Sequence, residues 1–148
     1  VFIMAYQKIL VAIDDSEISA NVIQQAAQLA KALNSQITLV QVMTLDPYLA
    51  DAYLRMGQSN ELIERVRSYV QENLSKAEKK FEALGLTVAT QVLEGFSVNG
   101  EIISAAQNLG VDLIIMGSHG RTGFKKFILG SVAQKVLGES HIPVLVVR

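Results

Sequence analysis

Gly117, Gly120, Gly130 and Ser131 stand in the spacing Gly-x2-Gly-x9-Gly-Ser. An apolar run, Leu113 to Met116, precedes them, and a helical pattern, Val132, Ala133, Val136 and Leu137, follows. That order reads as buried strand, polar turn, helix start. It suits an anion. Glycine lets the backbone come close to a ligand and takes positive φ without steric cost. Successive free amides form a nest for phosphate oxygens. A helix start adds unpaired N–H groups and the positive end of the dipole. Ser131 is placed to cap that helix or to give its hydroxyl to a phosphate. No Asp or Glu occurs from Gly117 to Ser131, whereas Arg121, Lys125 and Lys126 do. His119, inside the turn, is a further candidate for phosphate contact. The same spacing also serves a plain strand–loop–helix connection whose glycines only make turns. It is neither GxGxxG nor a Walker A loop.

Asp14 and Asp15 are the second candidate. The pair follows the apolar run Ile9 to Ile13. One carboxylate there can accept hydrogen bonds from a ribose or an exocyclic amine, or help hold a metal; the pair can equally cap a helix. His141 precedes Ile142-Pro143 and reads as structural. Two distant histidines make no metal-ligand spacing. There is no Gly-x-Ser-x-Gly elbow and no cysteine nucleophile. No residue is therefore assigned a catalytic or metal-ligating role. An adenylating enzyme of related topology would carry Ser-Gly-Gly-x-Asp-Ser after its first strand. Asp14-Asp15-Ser16-Glu17 stands there instead.

Composition narrows the classes. The 148 residues are 50% hydrophobic and 18% charged, enough for one domain with a full core and too apolar for disorder. The net charge of -1 gives no footprint for nucleic acid. Without cysteine there is no disulfide and no thiolate metal site, which fits a reducing compartment. The apolar runs are too short to span a bilayer. Val1-Phe2-Ile3 lacks the features of a signal peptide, and residues 1–4 are expected to be a flexible or non-native extension.

The elements that position these residues alternate. Ile9–Ile13 is a strand, followed by a helix with Val22, Ala26, Leu29, Ala30 and Leu33 on one face, ending at Asn34-Ser35. Asp14, Asp15 and Ser16 supply its turn and N-cap. Ile37–Val42 is the second strand. Residues 44–57, with Pro47, Tyr48, Tyr53 and Gly57, form a long connection with a short helical piece around Ala50–Arg55; it serves packing or acts as a lid. A long helix follows, its stripe Leu62, Val66, Tyr69, Ala77, Phe81 and Leu84, ended by Gly85. Thr87–Leu93 alternates and suits an edge strand. Gly95 and Gly100 bracket a loop. A helix through Ile102, Ile103, Ala106 and Leu109 ends at Gly110. The last strand is Pro143–Val147. Strands alternating with helices predict an open five-stranded parallel sheet with helices on both faces, a Rossmann-like α/β fold. An edge third strand gives the order 3-2-1-4-5. Ligands bind such sheets at the switch point, here between strands one and four, where the Asp14 loop meets the glycine loop.

Four segments together resemble the universal stress protein family: Ile9–Ser16, Asp112–Arg121, Leu129–Val132 and Pro143–Arg148. The likeness runs from about Lys8 to Arg148, and the glycine spacing is similar to the family's ATP-binding branch. The resemblance implies ATP, with Mg²⁺, as the ligand. It implies that Asp14 contacts the nucleoside and that the Val42 backbone meets adenine. Gly117, Gly120, Gly130 and Ser131 would form the phosphate loop. Ala12, Ile13, Met116, Ser118, His119, Arg121 and Val132 complete the implied site. Asp15 departs from the glycine often found at its position, which narrows the mouth of the first loop. The Gly95–Gly100 turn lacks the usual proline and is slightly longer. The implied protein is a cytoplasmic homodimer, paired through Val144–Val147, that holds ATP as a regulatory or structural ligand in the stress response. A slow ATPase, phosphotransferase or adenylyl-transferase, or an interaction module with another metabolite, is the alternative.

Overall fold

The computed structural model describes residues 5–45, 51, 54–55, 61–120 and 128–148. Arg121, Lys125, Lys126, Pro47, Tyr48, Tyr53, Gly57 and the residues before Ala5 lie outside that set. Asp51, Leu54 and Arg55 are helical, in keeping with the short helix expected there.

In chain order the elements are β1 (Lys8–Ala12), α1 (Ile18–Leu33), β2 (Gln36–Thr44) and α2 (Glu61–Ala83). Then come β3 (Ala89–Gly95), α3 (Val98–Leu109), β4 (Leu113–Gly117), α4 (Ser131–Glu139) and β5 (Val144–Val147). All strand pairs are parallel, and the order is β3-β2-β1-β4-β5, as the sequence predicts. The continuous apolar runs of β1 and β4 are explained by helices on both faces. On one face Ile9, Val11, Ile37, Leu39 and Ile115 pack against α1 and α2. On the other, Leu10, Val40, Ile114 and Met116 pack against α3 and α4.

Helix ends follow local chemistry. Asn34 closes α1 in the left-handed region at φ 54°, and Gly110 closes α3 at φ 65°. Other boundaries correct the sequence reading. The α1 N-cap is Glu17, with no side-chain cap bond. The Asp14 carboxylate instead accepts from the Ser16 N–H at 2.9 Å, an Asx turn that precedes the helix. Gly100 lies inside α3, not in a loop, because Ser97 Oγ caps the Gly100 N–H at 3.2 Å and starts the helix at Val98. The buried face of α2 is Ile63, Val70, Leu74, Ala77 and Phe81. Leu62, Val66 and Leu84 are only partly buried and Tyr69 is 54% exposed, so the expected stripe is offset in its first turns.

β2 outruns its neighbour. The last β1 pair is Ala12 with Val40, while β2 continues to Thr44 against Gly95 of β3. Leu45 N–H then donates to the Gly95 carbonyl at 3.0 Å. Val42 is therefore not the strand end. It is a residue that β1 has ceased to cover.

Candidate functional site

A cleft of about 910 Å³ opens over the C-terminal ends of β1, β2 and β4. This is the switch point of the sheet. Ala12, Ile13, Asp14, Val42, Met116, Gly117, His119, Gly120, Gly130, Ser131 and Val132 all line it. Ser118 does not, and Arg121 lies outside the described residues.

Asp14 is held from one side. Its Oδ1 accepts from the Ser16 N–H and hydroxyl and lies 3.1 Å from Ser19 Oγ. Its own N–H donates to Ser19 Oγ at 3.2 Å. Oδ2 receives no hydrogen bond from a described residue, and it lies 2.6 Å from where a Cβ on Gly120 would stand. A side chain on Gly120 would displace that carboxylate oxygen.

The other loop glycines also serve close approach, and none does so through positive φ. Among the described residues the positive-φ glycines are Gly85 and Gly110. A Cβ on Gly117 would meet Ile18 Cγ2 at 2.9 Å. One on Gly130 would meet Ser118 O and His119 Cα, each at 3.0 Å. The Gly130 N–H donates to the Ser118 carbonyl at 2.6 Å, so that amide is spent within the protein. Ser118, 4% exposed, also donates its N–H to Val147 O at 2.7 Å, and its Oγ is 2.9 Å from His119 Nδ1. Its role in the described structure is to pin the loop.

Gly130 is the N-cap of α4, and Ser131 is the first helical residue rather than the cap. The first backbone bond of this helix runs from Gln134 N–H to Gly130 O at 2.9 Å. The amides of Ser131, Val132 and Ala133 thus have no backbone partner among the described residues, and all three residues line the cleft. They can bind an anion through N–H groups and the helix dipole.

Val42 offers a second kind of contact. In a parallel ladder a residue turns its N–H and C=O to the same neighbour, and alternate residues turn to opposite neighbours. Val40 faces β1, since its carbonyl accepts from Ile13 N–H at 3.0 Å. Val42 faces the same way, two residues on, where β1 has ended. Its N–H and C=O thus open on the cleft, a donor and an acceptor side by side in the plane of the sheet.

Sequence reasoning missed a group contributed by β2 and α2. Gln41, Val66, Tyr69 and Val70 line the cleft as well. Tyr69 OH donates to Asp15 Oδ2 at 2.8 Å, joining α2 to the β1–α1 loop. Asn73 Nδ2 reaches Gln41 Oε1 at 2.6 Å and Asp14 O at 3.2 Å. The available signal was Gln41 itself, a polar residue in phase with the buried Ile37, Leu39 and Met43. Farther out, Glu94 of β3 makes a two-pronged ion pair with Arg67 of α2, with Nη2 to Oε2 at 3.1 Å. That bond to Glu94 raises the Arg67 pKa above its ordinary value, against the opposing effect of burial.

No helix among the described residues is long and apolar enough to cross a membrane. The relatives agree with the geometry. Universal stress protein MJ0531 of Methanocaldococcus jannaschii is 36% identical over 144 residues, which cover 97% of this chain and 82% of the relative. The solved structure of MJ0577 superposes with a TM-score of 0.80 at 30% identity, over 98% of this chain and 96% of that one. A universal stress protein of Archaeoglobus fulgidus, solved in complex with dAMP, shares the fold at TM-score 0.70 and 20% identity, over 98% and 100% of the two chains. The model of the universal stress protein family matches residues 5–148, and the chain belongs to that family.

Proposed function

We propose that the chain binds ATP as a regulatory or structural ligand in a stress response, through the cleft at the switch point. One observation carries this reading. Asp14, whose Oδ2 accepts no hydrogen bond from a described residue, Val42, whose backbone β1 no longer covers, and Ser131 to Ala133, at the start of α4, all line one cavity. Those are an acceptor for a nucleoside, a donor–acceptor pair for a base edge and donors for phosphate. The dAMP held by the A. fulgidus relative is of the same chemical class. Among the described residues no group of three or more His, Asp and Glu is placed to hold a metal. Mg²⁺ would therefore arrive on the phosphates, with Asp14 as the carboxylate nearest the glycine loop. ATP would supply its charge and its base to the site rather than a reaction.

Calorimetric titration with ATP and Mg²⁺ tests the reading. Binding to the native state at 100 times Kd adds roughly 2.7 kcal/mol of stability, read as a higher melting temperature. ATP consumption should stay far below the ~10 s⁻¹ typical of enzymes and be unchanged in His119→Ala. No heat and no thermal shift at millimolar ATP would sink the proposal.

We further propose a cytoplasmic homodimer. β5 is an edge strand of Val and Leu only, with Leu145 39% exposed. An edge of that kind invites pairing, and a twofold copy closes it. Sedimentation should show a dimer at micromolar concentration that Val146→Lys weakens; a wild-type monomer would contradict it.

A further inference from the structure

β2 carries one polar side chain on the face it buries under α2. Ile37, Leu39 and Met43 share that face as core residues, and Gln41 among them is only 6% exposed. Its oxygen has a partner, because Asn73 Nδ2 donates to Oε1 at 2.6 Å. The orientation is fixed by a third group. Asn73 Nδ2 also donates to the Asp14 carbonyl at 3.2 Å, and a backbone carbonyl can only accept. Asn73 therefore presents its NH₂ to both, and Gln41 must answer with oxygen. That leaves Gln41 Nε2 as a donor with no partner among the described residues. No described buried side-chain nitrogen or oxygen is both shut from solvent and unpartnered, so Nε2 meets open space. The open space beside Gln41 is the cleft.

Position decides what this donor can read. β1 lies between β2 and β4, so Gln41 stands two strand spacings, about 9.6 Å, from the strand that feeds the glycine loop. It adjoins Val42, not the phosphate-facing amides. Val66, Val70 and Met43 line the same cleft and give it apolar surface, which suits the flat face of a base. A purine offers ring nitrogens as acceptors, whereas the exocyclic amine of adenine is a donor and cannot pair with an N–H.

We propose that Gln41 is a specificity-determining residue of this cleft, donating from Nε2 to a ring nitrogen of the purine base, with Asn73 as the positioning residue that holds it. The inference rests on the adenine-nucleotide reading above. The test is titration of the full chain and of Gln41→Met with ATP, with inorganic triphosphate, and with three ATP analogues in which each acceptor ring nitrogen of the base is in turn replaced by C–H. Methionine is unbranched and fits the same space. Gln41→Met should weaken ATP roughly tenfold and leave triphosphate unchanged. One analogue should bind wild type about tenfold more weakly than ATP and bind Gln41→Met as well as ATP does. Wild-type ATP affinity in Gln41→Met, or an equal loss for ATP and triphosphate, would overturn the inference alone. So would three analogues that all bind wild type like ATP, a result that needs no variant to fold. A wild-type protein that binds no ATP would overturn the nucleotide reading and this inference with it.

Discussion

The two sides of the cleft are built on opposite plans. On the β4 side the functional groups are main-chain amides, exposed because glycines let two loops and a helix start crowd together. On the β2 side, side chains join the Val42 backbone: Asn73 donates to Gln41 and to the Asp14 carbonyl, and Tyr69 donates to Asp15. Amides at a helix start read charge and shape, whereas directional groups on the β2 side, the Val42 N–H and C=O and the Gln41 side-chain amide, can tell one base edge from another. On the proposed reading, affinity comes from the glycine side and discrimination from the β2 side.

Gly130→Val should have the largest effect and should strike only the first plan. Its side chain would push on Ser118 O and His119 Cα, backbone atoms that cannot swing aside. ATP and inorganic triphosphate should weaken together, by roughly 100-fold or about 2.8 kcal/mol. The crowding also implies a stability loss of roughly 1–3 kcal/mol, read in a melt without ligand. ATP bound as tightly as by wild type would break the comparison at its stronger side. Asp14→Ala comes next. It removes Oδ2 from the junction of the two plans, so ATP should weaken about tenfold, or 1.4 kcal/mol. Inorganic triphosphate, which lacks a nucleoside, should bind no worse; an equal loss of both ligands would place Asp14 on the phosphate. Tyr69→Phe should be the mildest. It removes one exposed hydrogen bond to Asp15, worth roughly 0.5–1.5 kcal/mol, and should be read as faster nucleotide release in a stopped-flow chase. Unaltered release would show that this bond does not guard the cleft.

The same contrast explains what was legible in the sequence. The strand order could be read because β1 and β4 are uninterrupted apolar runs and Thr87–Leu93 alternates. The glycine loop could be read because a Cβ at Gly117, Gly120 or Gly130 would crowd a neighbouring atom at 2.6–3.0 Å. The reason was only half visible, since close approach and positive φ leave the same letter in the chain. The β2 side was hidden. Nothing local to Gln41 announces Asn73, which lies 32 residues away and meets it only after α2 docks. The offset of the α2 stripe had the same origin. Leu62, Val66 and Tyr69 keep helical spacing, but the sheet selects Ile63, Val70 and Leu74, and Val66 and Tyr69 turn to the cleft.

The overhang of β2 has a mechanical meaning. Beyond Val40 the strand is a cantilever, clamped by β3 on one side and free on the other. It carries Val42 in its free half, so the stiffness behind that residue comes from a strand that lines none of the cleft. Thr44 leans on Gly95, and the Glu94–Arg67 pair bolts that strand to α2. A nucleotide wedged against Val42 would brace the free side and load the far clamp. Amide exchange in β3, on the outer edge of the sheet, should slow when the cleft is filled, so that occupancy can be sensed on a surface the ligand never reaches.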